Sequence, residues 1–151
     1  RVRTMRIFVD ADACPVKEEV IRVATRHALP VVLIGNRWMR GLDSPLVSQE
    51  VVPDGLNQAD DRIVERFEAG DLVVTADVPL AVRCLEKGGR GIDHRGKIFD
   101  PDSIGMASAM RDLMTHLRDS GQIEGGGPRA YAKLDRSRFL DGLERLVQAM
   151  K

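Results

Sequence analysis

Arg6-Ile7-Phe8-Val9-Asp10-Ala11-Asp12-Ala13-Cys14-Pro15 passes within one short stretch from an apolar run to two acids and then to a proline. Residues 6–9 read as a short buried strand that runs into an acidic turn. Pro15 suits the first turn of a helix, where its missing N–H is not needed. Over residues 15–28, Val16, Val20, Val23, Ala24 and His27 recur at three- and four-residue spacing, as one face of a helix should. Pro30 breaks that helix. Val31-Val32-Leu33-Ile34 is then a continuous apolar run closing at Gly35, the pattern of a strand covered on both faces in a parallel sheet.

The alternation continues outward. Residues 36–45 hold Arg37, Trp38, Arg40, Gly41 and Pro45, a loop composition, and Leu46 to Val52 reads as a further strand. Asn57 is placed to cap a helix over 58–69 with Asp60 and Asp61 in its first turn, and Gly70 stops it. Asp71 to Ala76 is the next strand. Asp77 leads into a helix of 78–87 closed by Gly88-Gly89, and Gly91 to Phe99 forms a short hairpin around His94-Arg95-Gly96. Helices over 104–119 and 136–150 flank the glycine-rich stretch 124–129. Strands alternating with helices predict one α/β domain with a mostly parallel, Rossmann-like sheet and helices on both faces. It spans residues 6–151, after a leader or disordered start at 1–5.

Composition narrows the class. A chain of 151 residues with 43% hydrophobic residues can build one core without disulfides or a structural metal. Cys14 and Cys84 stand in separate motifs and read as reduced thiols of a cytoplasmic protein. No stretch approaches the roughly 20 apolar residues of a membrane span, and the basic start is followed by no apolar signal core. The 23 basic and 23 acidic residues cancel, which decides nothing about nucleic acid, because a binding face depends on local charge.

The predicted topology brings acids together. In open parallel sheets, ligands bind beyond the carboxyl ends of the strands, near a reversal of strand order. Asp10 and Asp12 lie at one such end and Asp77 at another. Asp60 shares a helix face with Ile63, Val64 and Phe67, so it turns toward the core in the first turn of a helix. Asp61 is rotated about 100° away and is the second-choice ligand. Converging carboxylates repel, and a hard divalent cation, Mg²⁺ or Mn²⁺, removes that penalty through oxygen ligation. Asp10, Asp12, Asp60 and Asp77 are therefore the expected catalytic carboxylates, and with Asp61 the expected metal ligands. Metal-assisted hydrolysis of a phosphodiester is the chemistry this set suits. Each acid also has a plainer reading: Asp10, Asp12 or Asp77 as an N-cap, and Asp60 or Asp61 as a carboxylate favoured by the helix dipole.

Val9-Asp10-Ala11-Asp12-Ala13-Cys14-Pro15-Val16-Lys17 resembles the opening motif of the bacterial YaiI/YqxD family. The likeness continues through Ala59-Asp60-Asp61, Thr75-Ala76-Asp77-Val78-Pro79-Leu80-Ala81 and Gly127-Pro128-Arg129, followed by Lys133 and Asp135-Arg136. That family is in turn similar to PIN-type nucleases, whose acids come from the first strand end, a middle helix and a later strand end. The resemblance implies a PIN-like fold with Asp10, Asp60 and Asp77 in those places and Asp12 as an addition. It implies fold more than activity, since the family has no established biochemical role.

The remaining candidates are weaker. Lys17, Arg129 and Lys133 are the residues expected to contact a phosphate, against a plain reading as solvated surface. Cys14 precedes a helix yet has no partner His or Cys nearby, and reads as a small structural residue. Thr75 is suited to bonding a carboxylate or to simple strand packing. Gly125 to Arg129 reads as a linker rather than a phosphate loop. Trp38 with Arg37 and Arg40 suits stacking on a base. His27, His94 and His116 are too scattered for a zinc site. The leading expectation is a metal-dependent nuclease acting on RNA or another phosphodiester. The alternatives are a Mg²⁺-dependent aspartyl phosphatase using Asp10 and Asp12, and a binding module with an inactive acidic pocket.

Overall fold

Among the described residues, six strands form one sheet: β1 (Ile7–Asp10), β2 (Val31–Gly35), β3 (Val47–Val51), β4 (Leu72–Val74), β5 (Arg90–Ile92) and β6 (Ile98–Phe99). The computed structural model describes residues 4–42, 44–55, 57–99 and 133–151; the helix expected over 104–119 and the stretch 124–129 lie outside them. Strand order is β3-β2-β1-β4-β5-β6. The first five strands run parallel and β6 pairs antiparallel with β5, which makes the expected hairpin. The described helices are α1 (Lys17–His27), α2 (Gln58–Arg66), α3 (Val78–Glu86) and α4 (Lys133–Met150).

The two-residue period of a strand sends neighbours to opposite faces. Ile7, Val9, Val31, Leu33, Leu72 and Val74 pack on one face with Val16, Val20, Val23 and Ala24 around α1 and with Phe139, Leu143 and Val147 of α4. Phe8, Val32, Ile34 and Val73 pack on the other with Ile63 of α2, Phe67, and Leu80 and Cys84 of α3. Most of these side chains are 0–1% exposed, and each contributes about 1.5–3 kcal/mol relative to exposure. The continuous apolar runs are thus explained by a sheet covered on both sides.

A buried ion pair sets the register of the central strands. The Asp71 carboxylate, fully buried before β4, accepts from the backbone N–H of Arg6 (3.0 Å), from Arg6 Nη2 (2.9 Å) and from the Glu68 N–H (3.0 Å). This ties the amino ends of β1 and β4 together, and their pairing then runs Ile7 with Leu72 through Val9 with Val74. At the far edge Asp10 therefore emerges beside Thr75.

Three local expectations are corrected. Pro15 precedes α1 rather than opening it. Cys14 is extended (φ −103°, ψ 114°), the conformation a following proline imposes, and the helix begins at Lys17. Asn57 adopts φ 66° and makes no side-chain cap to α2. That helix ends at Arg66, before Gly70, because Phe67 turns extended (φ −67°, ψ 138°). Its ring then inserts against Phe8 with centroids 5.6 Å apart. Burial of one aromatic outweighs the few tenths of a kcal/mol per residue that helix propensity offers.

Candidate functional site

The chain builds outward from β1 to β2 to β3, then returns through α2 to lay β4 on the other side of β1. The order reverses between β1 and β4. A crevice opens at their carboxyl ends, since the connections leave in opposite directions. Asp10 ends β1 at this point, and Thr75 and Asp77 follow β4.

Thr75 links the two acids. Buried to 4% exposure, its hydroxyl donates to Asp10 Oδ2 (3.2 Å) and accepts from the Asp77 N–H (3.0 Å). Asp77 in turn caps α3, its Oδ1 accepting from the Leu80 N–H at 3.0 Å with Pro79 in the first turn. The plainer reading of Asp77 as an N-cap is therefore realised. The cap also fixes that carboxylate beside the crevice. The Asp10 carboxyl is pushed up to about 6 from its ordinary 3.8. Burial is the largest cause, followed by the negative charge of Asp60. The Thr75 hydrogen bond opposes them, while Asp77 and Asp12 add to the rise. Three other acids, Asp60, Asp77 and Asp12, thus act on one carboxyl.

Asp60 reaches the crevice through the amphipathic α2. It is half-buried on the side that carries the fully buried Ile63, whereas exposed Asp61 faces away and pairs with Arg83 of α3 at 2.9 Å. Asp12 is turned toward β2. Its two carboxylate oxygens share the Asn36 N–H, each at 2.9 Å. Gly35 makes the space for this, because a Cβ there would stand 2.7 Å from Asp12 Oδ1. Asn36 was not singled out from the sequence. Its position at the carboxyl end of β2, one residue past a strand-closing glycine, is the signal that points to it.

The basic candidates are dispersed. Lys17 Nζ donates to the Cys14 carbonyl at 2.6 Å and lines a hollow of about 300 Å³ with Glu19, Met39, Arg40 and Arg136. Lys133 is exposed at the start of α4, and Arg129 lies outside the described residues. Cys14 and Cys84 are free and buried. Burial pushes both thiols up, Cys84 to about 12, which makes Cys14 a poor nucleophile and fits its reading as a structural residue. His94 joins Asp10, Cys14 and Thr75 around a space of about 10 Å³, near the size of one water. Burial is the main cause that holds its imidazole below the ordinary value.

Among the described residues, no three His, Cys, Asp or Glu side chains stand as a ready cation cage. The donor set is nonetheless of the hard-oxygen type. Mg²⁺ takes one or two carboxylates and fills the remaining positions with water and substrate oxygens, so a closed protein cage is not the arrangement it requires. No helix of the described residues is long and apolar enough to cross a membrane.

Comparison with known proteins matches the YaiI/YqxD family profile, described as "Uncharacterized BCR, YaiI/YqxD family", over residues 8–149. The chain belongs to the YaiI/YqxD family. It is 57% identical over 145 residues to a UPF0178 protein of Parvibaculum lavamentivorans, covering 96% of this chain and 95% of that one. A UPF0178 protein of Rhodopseudomonas palustris is 50% identical over 143 residues, 95% of this chain and 90% of its own. One of Ruegeria pomeroyi is 49% identical over 144 residues, covering 95% and 94%. No solved structure matches. Family membership thus reaches from β1 through nearly all of α4 and takes in every acid of the crevice.

Proposed function

We propose that this YaiI/YqxD protein is a metal-dependent phosphodiesterase acting on RNA, with its centre at the β1–β4 crevice. One observation carries the reading: Asp10 is raised to about 6 by burial and by three other acids at the place where an open parallel sheet binds ligands. A site that penalises its own charge at neutral pH favours the arrival of a cation.

Asp10 and Asp60 would hold Mg²⁺ or Mn²⁺, with Asp77 and Asp12 beside them. Such an ion, when bound there, would supply Lewis-acid polarisation of a phosphodiester and activation of a water for in-line attack. The protein's own part is orientation. Thr75 holds Asp10 by its hydroxyl, the α3 cap holds Asp77, and the Asn36 amide holds Asp12. Asp12 also lines an open hollow of about 560 Å³ with Asn36, Arg37, Met39 and Asp54, a size that suits a nucleotide. Asp12 and Asp10 bond to opposite neighbours, β2 and β4. This supports the nuclease reading over a phosphatase in which both would close on one phosphoryl group.

Purified protein is incubated with RNA in Mg²⁺ or Mn²⁺, beside Asp10→Asn and Asp60→Asn variants. Cleavage that requires the ion and falls at least about 100-fold in the Asp10 variant, the scale of losing one electrostatic stabiliser, is the expected result. Equal cleavage by wild type and both variants would overturn the assignment.

A further inference from the structure

The loop from Asn36 to Leu46 carries the chain's single tryptophan, and Trp38 is 63% exposed. A large apolar ring in water on a floppy loop would signify little. This one stands on a braced backbone. On one side, Asn36 gives its N–H to Asp12 and its Nδ2 to the Pro53 carbonyl at 3.1 Å. On the other, the Gln49 side chain of β3 clamps Met39 twice, accepting from its N–H at 2.9 Å and donating to its carbonyl at 2.8 Å. The residues flanking Trp38 are fixed while its indole is left open.

The residues on either side of Trp38 in the loop are cationic, while Asp12, Asp54, Glu18 and Glu19 line the hollows beyond them. Arg37 and Arg40 are both exposed, and among the described residues neither makes an ion pair. Arg37 lines the hollow that holds Asp12, Arg40 lines the one that holds Lys17 and Arg136, and Met39 lines both. Residues 37–40 are therefore the partition between two hollows on the acidic edge. A chain laid along that edge crosses the partition, with guanidinium groups for its phosphates and an aromatic face for whatever planar group lies between them.

We propose that Trp38 is a stacking platform for an unpaired base and that Arg37 and Arg40 receive the flanking phosphates, so that the ligand of this edge is single-stranded RNA. Cation, aromatic ring and cation within four residues supply the two kinds of contact, to phosphate and to base face, that single-strand binding uses. A duplex hides its base faces within the stack and offers nothing to the indole. The inference rests on the phosphodiesterase reading for the neighbouring crevice, and it narrows that site's substrate to unpaired strands.

The test uses full-length protein in EDTA, so binding is read without turnover. With one tryptophan in the chain, fluorescence under tryptophan-selective excitation reports this position alone. Short oligoadenylate is expected to quench it saturably, and a matched RNA duplex is expected not to. Trp38→Ala should weaken oligoadenylate binding by about 5- to 150-fold in an anisotropy titration, with Trp38→Phe retaining most of the affinity. Arg37→Ala combined with Arg40→Ala should lower the log–log salt slope by about 1.4, at roughly 0.7 for each phosphate contact on a single strand. Unchanged affinity in Trp38→Ala, or equal quenching by duplex, overturns the proposal. So does a fluorescence change on concentrating the protein alone, which would mark a contact between copies. The two readings fail separately. Quenching without cleavage in Mn²⁺ removes the catalytic assignment and leaves the platform. Cleavage indifferent to Trp38→Ala, without quenching, removes the platform and leaves the catalyst.

Discussion

Replacing Asp10 by asparagine should stabilise the metal-free protein at neutral pH. The carboxyl rises from 3.8 to about 6 on folding, a difference worth at most about 3 kcal/mol at 1.36 kcal/mol for each tenfold change in acidity, and less because water reaches its open side. The folded state binds the extra proton between those two values, so its stability falls as pH rises through that window. Below about pH 3.8 the penalty is absent; above about pH 6 it is complete. Asparagine keeps the shape and an acceptor for the Thr75 hydroxyl while carrying no charge. Urea denaturation of wild type and Asp10→Asn in EDTA, at intervals from pH 4 to 8, reads this group together with its repulsion of the acids that face it, while distant groups titrate alike in both proteins. The gap should open from near zero at pH 4 to about 1–2 kcal/mol at pH 7. Saturating Mn²⁺ should then narrow it by stabilising the wild type alone. A gap that stays flat with pH, or an asparagine variant less stable at pH 7, would refute the idea of a strained carboxyl.

Other perturbations test the same frame. Asp60→Asn should lower the Asp10 pKa and Thr75→Val should raise it, opposite shifts readable by carboxyl ¹³C NMR titration, because Asp60 is the largest charge acting on Asp10 and Thr75 the hydrogen bond opposing it. Gly35→Ala places a Cβ 2.7 Å from Asp12 Oδ1 and should cost about 1–3 kcal/mol in thermal or urea unfolding, with the Asn36 amide losing its carboxylate partner. Asp71→Ala removes three acceptor contacts from a fully buried site and leaves Arg6 without its buried partner. A loss of about 3–5 kcal/mol is expected in urea denaturation, with no metal dependence.

Much of the fold was legible because two-sided burial writes itself as unbroken apolar runs. Val31 to Ile34 and the strand before Asp77 stand where expected, and the helical spacing of Val16, Val20, Val23 and Ala24 does mark the face of α1. The misplaced boundaries share a cause. Phe67 fits the helical period of α2, but its best burial lies beneath Phe8, and a tertiary contact of that kind leaves no local trace. Electrostatic convergence on Asp10 followed from topology, since strand ends of a parallel sheet share an edge. The direction in which Asp12 turns was not legible, because it depends on a backbone amide at residue 36 rather than on any side-chain type. The same holds for Trp38: its sequence neighbours suggested stacking, whereas its exposure and bracing are properties of the folded loop.

The centre of the sheet is its first strand, and that order has a consequence during synthesis. β1 is flanked by residues 31–34 on one side and 72–74 on the other, so it is made well before its second neighbour, and long-range closure of this kind is slow. Until residue 77 has left the ribosome, Asp10 stands at a half-built margin in water, where nothing raises its pKa. A fragment ending before Thr75 carries three of the acids without the hydroxyl that holds Asp10.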